Sequence, residues 1–133
     1  MKWTRAEREF LETARVARLA TVAPDGAPHN VPICPLFEKG LFYLGTDRET
    51  AKVRNIRANT RVALVFDDYT EDWRHLRGVL VEGEARVVAG RAFRSVRARL
   101  YRKFPQYEAI APLTDRDAVA LEITPRRKVS WGF

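Results

Sequence analysis

Residues 18–35 read RLATVAPDGAPHNVPICP, two short apolar runs separated by a turn. The first run is Leu19–Val22 and the second is Val31–Ile33. Between them, residues 24–26 combine a proline, whose φ is fixed, with an aspartate and a glycine that accepts a positive φ, as tight reversals require. The stretch therefore predicts a β-hairpin.

The second strand of this hairpin is interrupted by prolines. Pro28, Pro32 and Pro35 each lack an amide proton, so this strand cannot be fully hydrogen-bonded on both sides. We predict that it runs along an edge of the sheet or contains bulges. Unpaired backbone groups on such a strand are available to a ligand.

The elements outside the hairpin do not alternate regularly between strand and helix. Thr4 and Glu7 have the spacing of a capping box at a helix start, and Gly83 within a long strand indicates a bulge. Pro125 is expected to interrupt the last strand. In chain order the patterns predict a helix over 5–16, strands over 19–22, 31–33 and 41–44, a helix over 49–58, strands over 61–66 and 76–88, a helix over 91–104, and a strand over 118–123, to which 128–131 could add a short terminal one.

This order argues against a doubly wound parallel sheet and predicts a mainly β fold, a largely antiparallel barrel of about six strands with peripheral α-helices. The sequence contains no G-x-G-x-x-G or G-x-x-x-x-G-K-[ST] phosphate loop, which argues against dinucleotide-fold and P-loop chemistry. With 133 residues and 46% hydrophobic content, residues 1–133 are expected to form a single domain.

Composition and charge limit where the protein is expected to be located and what it is expected to bind. The one cysteine, Cys34, excludes an intramolecular disulfide, and no apolar run approaches the roughly 20 residues of a membrane span. We expect a cytoplasmic protein with no membrane partner. Twenty-four Lys and Arg against 17 Asp and Glu give a net charge of +7, which favours polyanionic partners such as nucleic acid or a phosphorylated cofactor.

Residues 46–52 stand between a predicted strand and a predicted helix. Their hydroxyls, backbone amides and two cations gather at a helix N-terminus, where an anion would be stabilised. Two interpretations stay open from these residues alone: a phosphate cradle, or a capped helix start with exposed basic residues.

Together, residues 18–29, 46–52, 55–56 and 63–65 resemble the pyridoxamine 5′-phosphate oxidase-like family over most of the chain. The resemblance implies a six-stranded antiparallel split β-barrel of the FMN-binding type. It implies that a strand after the Asp-Gly turn lines the isoalloxazine ring, and that the Thr-to-Lys segment binds the phosphate. Carried onto this chain, the ring residues would be Val31, Pro32 and Ile33, and the phosphate residues would be Thr46, Arg48, Thr50 and Lys52.

The resemblance also implies a homodimer with two cofactor sites at its interface. Trp73 and Arg77 would then complete the partner's site, although Trp73 is also interpretable as an aromatic plug in a barrel end. Residues 71–74 resemble a branch of the family that uses deazaflavin coenzyme F420. The C-terminal segment 126–131 resembles the region where an arginine and a tryptophan approach the flavin, here Arg127 and Trp131.

The function implied is an oxidoreductase that uses coenzyme F420 or FMN to transfer a hydride to or from an unidentified small molecule. No catalytic side chain is predicted, because a flavin carries the chemistry itself. The chain lacks the Arg-x-Arg-Leu-x-Pro signature of pyridoxine-phosphate oxidases, and His29 and His75 lack the spacing of a metal site.

Two other functions stay open. The first is a basic nucleic-acid-binding barrel. The observation against it is that the cations are not interleaved with aromatic residues along one strand. The second is a non-catalytic flavin- or haem-binding protein. The arginines of residues 91–103 fit either a basic groove for the acidic tail of F420 or a solvated helix face.

Overall fold

The computed structural model describes residues 1–133 and consists mainly of one antiparallel sheet. None of its helices is long and apolar enough to cross a membrane. A 3-10 turn covers Trp73–His75. The strands are β1 (Ala17–Val22), β2 (Pro28–Ile33), β3 (Leu36–Glu38), β4 (Leu41–Asp47), β5 (Arg61–Asp68), β6 (Arg77–Val88) and β7 (Ala118–Trp131); the helices are α1 (Arg5–Thr13), α2 (Ala51–Ala58), α3 (Gly90–Lys103) and α4 (Gln106–Ile110).

The sheet is curled into a half-barrel by its own connectivity. Its strand order is β2-β1-β5-β6-β7-β4-β3, so β2 and β3 form the two edges. Only Cys34 and Pro35 separate these strands in the chain. A flat seven-stranded sheet would hold its edges about 29 Å apart, whereas the link reaches about 11 Å. The sheet must therefore curl until its two edges approach each other.

The prediction of six strands was wrong by one. The short β3 pairs with β4 through Leu36↔Tyr43 and had no sequence signal of its own. Residues 118–131 form one continuous strand, although Pro125 was expected to break it. The antiparallel, mainly β class and the peripheral helices are confirmed.

Pro125 is accommodated because the register shifts beside it. Glu82 pairs with Arg127 but Gly83 pairs with Pro125, which leaves one extra residue on β7. A bulge is a position where the missing amide proton of a proline breaks no ladder hydrogen bond. A side chain on Gly83 would collide with the carbonyl oxygen of Thr124. The predicted bulge at Gly83 is therefore confirmed. A glycine is required there because the backbone of Thr124 approaches too closely for a side chain.

Two groups of buried side chains fill the space around the sheet. The larger lies inside the curl and includes Leu19, Phe66 and Leu121 with Val53 and Ile56 of α2. The smaller lies under α3, whose buried side chains Phe93, Val96 and Leu100 recur at helical spacing.

The capping box of α1 is present as predicted, with reciprocal hydrogen bonds between Thr4 and Glu7. The buried Glu7 carboxylate also accepts hydrogen bonds from Lys128 Nζ at 2.5 Å and Ser130 Oγ at 2.8 Å. These contacts fasten α1 to the end of β7.

Candidate functional site

The segment that connects β4 to α2, residues 46–52, places polar groups at the start of a helix. Thr46 is buried on β4 opposite Val119. The hydroxyl of Thr50 donates to the carbonyl oxygen of Asp47 at 3.0 Å and does not cap α2. The first amide protons of α2 therefore have no side-chain acceptor, which leaves them available to an anion. The interpretation of this segment as a side-chain-capped helix start is wrong.

The two cations of this segment have no acidic partner. Neither Arg48 nor Lys52 makes an ion pair within the chain. Burial lowers the pKa of Lys52, and the negative charge of Asp47 opposes that shift. The amide of Arg48 donates to the carbonyl oxygen of Asp117 at 2.7 Å, which fixes the segment against the start of β7. A bound anion would offset the cost of holding Lys52 partly buried as a cation.

The predicted ring-lining segment lies on the edge strand β2, as the prolines indicated. Ile33 is buried and Val31 is partly buried against the core, opposite Ala17 and Leu19 of β1. Pro32 is exposed. A ring placed along β2 would therefore meet the free backbone edge and Pro32 rather than the side chains of Val31 and Ile33.

His29, near the start of β2, contributes an unsatisfied polar atom. Its Nδ1 is buried and has no hydrogen-bond partner in the chain. His29 pairs with Thr21, whose hydroxyl accepts a hydrogen bond at 3.0 Å from Asn55 of α2. The start of β2 and helix α2 are therefore connected through β1.

Three other predicted residues lie around the β5–β6 turn. Trp73 is 72% exposed, and its Nε1 donates to the Tyr69 hydroxyl at 3.4 Å, so it does not plug the barrel. Arg77 pairs with Asp68 at 3.1 Å. Trp131 pairs with Gly78 across the ladder, and its ring occupies the space that a Gly78 side chain would need.

Arg127 lies apart, in a groove of about 520 Å³ on the outer face of the sheet. It pairs with Glu82 at 3.4 Å, and the neighbouring Arg126 pairs with Glu84 at 3.0 Å. Of the predicted site residues, only Arg127 lines this groove. Its two β7 arginines are neutralised by acids, and Arg61 is its one cation without an ion pair. Residues 46–52 have two such cations.

Within one chain the predicted residues form separate groups. Thr46 pairs with Val119 near the start of β7, whereas Trp131 ends that strand. Twelve residues of strand correspond to about 40 Å of strand path. No hydrogen bond, ion pair or aromatic contact joins residues 46–52 to Trp73, Arg77 or Trp131.

A further depression, which the sequence did not predict, lies between the ends of α1, α3 and α4. Helix α4 was not predicted, because Pro105 was taken only as the end of α3. The apolar pair Tyr107 and Ile110, three residues apart, is the signal that could have indicated it. The depression includes Cys34, which directly follows β2.

The curled antiparallel sheet with peripheral helices defines a split-barrel protein. Its site is suited to an anion, because the start of α2 has no side-chain cap and the cations beside it have no acidic partner. The family model described as pyridoxamine 5′-phosphate oxidase matches residues 3–130. The chain belongs to this family.

Individual relatives agree with this assignment. A 5a,11a-dehydrotetracycline/5a,11a-dehydrooxytetracycline reductase from Streptomyces rimosus is 33% identical over 138 residues, which cover 100% of this chain and 85% of that protein. A conserved hypothetical protein from Mycobacterium tuberculosis superposes with a TM-score of 0.81 at 25% identity, over 99% of this chain and 86% of its own. A structure named as an F420 reductase superposes with a TM-score of 0.75 over 96% and 98% of the two chains; at 22% identity it shows the fold alone.

Proposed function

We propose that this chain is a reductase that uses coenzyme F420 or FMN to transfer a hydride to an unidentified small organic molecule. The reductase from Streptomyces rimosus and the F420 reductase of the same fold support this proposal. The observation that carries it is the pair of unpartnered cations, Arg48 and Lys52, beside the uncapped start of α2.

The residues present fit the phosphate group that both cofactors contain. Lys52 and Arg48 would bind its oxygens as charge-assisted donors, and the first amides of α2 would add uncharged ones. Arg54 and Arg57, exposed on α2, also have no ion pair. In the case of F420, they would attract the acidic glutamate tail that follows its phosphodiester.

When bound, the flavin or deazaflavin supplies the hydride chemistry. The chain itself has to bind the ring, orient it and exclude water. The free backbone edge of β2 would hydrogen-bond the polar edge of the ring, with Pro32 against it. The buried Nδ1 of His29 is a further polar atom on this strand that a ligand could satisfy.

A homodimer is part of this proposal and is supported by an apolar row on the outer face of the sheet. Val65, Leu80 and Val129 lie side by side on β5, β6 and β7. They point away from the core, because their neighbours Val79 and Val81 are fully buried. In the dimer that we propose, a second copy would cover this row, and the Trp73 end of one chain would complete the cofactor site of the other, as the resemblance implies.

Nucleic-acid binding has less support from the side-chain contacts. On α3, Arg97 pairs with Asp115 at 2.7 Å and Arg99 pairs with Glu38 at 2.5 Å. The solvated-face interpretation is therefore wrong for these two arginines. Arg91 and Arg94 are exposed and unpaired, which fits both a solvated face and a basic groove. Two fewer cations are available to phosphates than the sequence indicated.

The test is a fluorescence titration of the cofactor-free protein with FMN and with F420. We expect saturable binding of one of them, and Lys52→Ala should weaken it at least about tenfold, because a charge-assisted hydrogen bond is lost. Arg5→Ala is the matched control, since Arg5 is an exposed arginine on α1 paired only with Glu9. A folded protein that binds neither cofactor would overturn the proposal and make haem or nucleic acid the next ligands to titrate.

Sedimentation at micromolar concentration tests the dimer separately. The wild-type protein should sediment as a dimer and Leu80→Glu as a folded monomer, since a carboxylate in the apolar row would lose its hydration on association. A monomeric wild-type protein would contradict the shared site.

A further inference from the structure

A second depression lies away from residues 46–52, between the ends of α1, α3 and α4. It has a volume of about 380 Å³, and most of its lining is apolar, including Cys34, Phe104, Tyr107 and Ile110. We call it the α3–α4 groove. Ile110 is 80% exposed at its rim, and the rings of Phe104 and Tyr107 meet edge to face with centroids 6.2 Å apart. The groove therefore offers apolar surface that nothing in the chain covers.

One cation without an acidic partner stands in this apolar groove. The guanidinium of Arg15 lies over the Phe104 ring, 4.3 Å from its centroid. Its Nη1 donates to the carbonyl oxygen of Lys103 at 3.0 Å, and Arg15 makes no ion pair. A guanidinium has five donor protons, so most of its hydrogen-bonding capacity is free.

A second cation adds to the positive potential beside the groove. Lys103 Nζ donates to the carbonyl oxygen of Pro35 at 2.7 Å and lies 5.2 Å from the Phe104 centroid. Burial and, to a smaller extent, the charge of Arg15 lower the pKa of Lys103 to about 8. Cys34 and Glu12 act in the opposite direction and raise this pKa. Near neutral pH two cations therefore face this region against one carboxylate.

We propose that the α3–α4 groove binds an amphipathic organic anion with a flat apolar body. The body would lie against Phe104, Tyr107 and Ile110, and a carboxylate, phenolate or enolate would pair with Arg15. Arg15 is exposed to water, so a neutral apolar ligand would displace part of the water around the guanidinium without replacing its hydrogen bonds. A small inorganic anion would leave the apolar lining exposed to water. Only a ligand with both features satisfies the groove.

The position of the groove relates this ligand to the rest of the molecule. Cys34 lines the groove and directly follows the segment Val31–Ile33, which would line the ring of the cofactor. The anion is therefore a candidate substrate. That role rests on the proposed function, whereas binding in the groove does not.

The test is isothermal titration calorimetry with 2-naphthoate and its neutral amide, 2-naphthamide. We expect naphthoate to bind with one site per chain and naphthamide to bind about tenfold more weakly, since the ion pair is lost. Arg15→Gln should remove the preference for the anion. Arg94→Gln, an exposed unpaired arginine on α3 that does not line the groove, should leave both affinities unchanged.

The location is tested with Cys34, the only thiol of the chain. Saturating naphthoate should slow alkylation of Cys34 by iodoacetamide, and Ile110→Glu, a change at an exposed side chain, should abolish this protection. Equal binding of acid and amide, binding unaffected by Arg15→Gln, unprotected Cys34, or no binding to the folded protein would each overturn the proposal. Protection by naphthoate in a protein that binds neither FMN nor F420 would uphold the groove and overturn the reductase assignment alone.

Discussion

The arginines of β6 and β7 and the cations around the start of α2 show two opposite uses of positive charge. Arg86 pairs with Glu122 at 2.7 Å, and Arg127 pairs with Glu82 at 3.4 Å. In contrast, Arg48 and Lys52 have no carboxylate within ion-pairing distance. The first group neutralises itself within the sheet, and the second leaves its charge to be neutralised from outside.

The difference shows where the net charge of +7 can act. An exposed ion pair contributes little to stability or to binding, so the arginines on the long strands add little to the external potential. Cations without partners raise the local potential and select anions. Ligand sites are therefore indicated by missing acids more than by the number of basic residues.

The largest loss of stability is expected from breaking the ion pair between Glu7 and Lys128, which is the most buried ion pair of the chain. Burial alone would raise the pKa of Glu7, but hydrogen bonds from Lys128, Thr4 and Ser130 outweigh it and lower that pKa. Glu7→Gln should cost about 3 kcal/mol in the free energy of unfolding, because the ammonium loses its partner. Urea denaturation measures this loss.

Glu9→Gln is the control for that change, since Glu9 lies on the same helix and pairs with Arg5 at the surface. Its cost should stay within about 0.5 kcal/mol. Equal losses in the two variants would show that the buried pair is no more important than an exposed one.

Lys52→Met should separate stability from binding at the start of α2. Removing a partly buried cation that has no partner should leave the free energy of unfolding unchanged or raise it slightly. Cofactor affinity should fall by about ten- to a hundredfold, the size of a lost charge-assisted contact. Denaturation and cofactor titration on the same sample check both. A parallel loss of stability and affinity would mean that Lys52 is structural.

Lys103 is a third kind of cation, because it donates to a backbone carbonyl oxygen and not to an acid. Its contribution to the free energy of unfolding should depend on pH. Its pKa falls from its ordinary 10.5 to about 8 on folding. Between these values the unfolded chain binds more protons, so the free energy of unfolding should rise with pH. Burial raises the pKa of Tyr107 above its ordinary 10, which opposes this trend only at higher pH.

Urea denaturation between about pH 7.5 and pH 9.5 avoids the titration of the tyrosines. The lowered pKa of Lys52 adds a rise of the same sign, which stays in place when only Lys103 is changed. The rise should be present in the wild-type protein and reduced in Lys103→Met. The same pH dependence in both proteins would show that Lys103 is not the titrating group.

The smallest effect is expected for Arg127→Gln on the outer face of the sheet. Arg127 and Glu82 are both substantially exposed, so the change in unfolding free energy should lie within about 0.5 kcal/mol. Cofactor affinity should change less than it does for Lys52→Met. An equal or larger loss of affinity would place Arg127 in the cofactor site, as the resemblance implied, and would weaken the contrast between the two regions.

Much of the fold could be predicted from local patterns. The hairpin around Gly26, the capping box at Thr4, the bulge at Gly83 and the edge position of β2 each depend on the chemistry of a few neighbouring residues. Strand β3 has three residues and α4 has five, too few for a periodic signal to form. Their existence depends on β4 and on the end of α3, against which they pack.

The sequence by itself determined the class of fold, the family and the segment in which hydroxyls and cations gather at a helix start, because backbone preferences and motif spacing act over short distances. Tertiary structure decided which charges are free. Glu7 and Lys128 are 121 residues apart in the chain, and Arg99 and Glu38 are 61 apart. Whether a cation is neutralised depends on which distant carboxylate the fold brings within a few ångströms, and no local pattern encodes that distance.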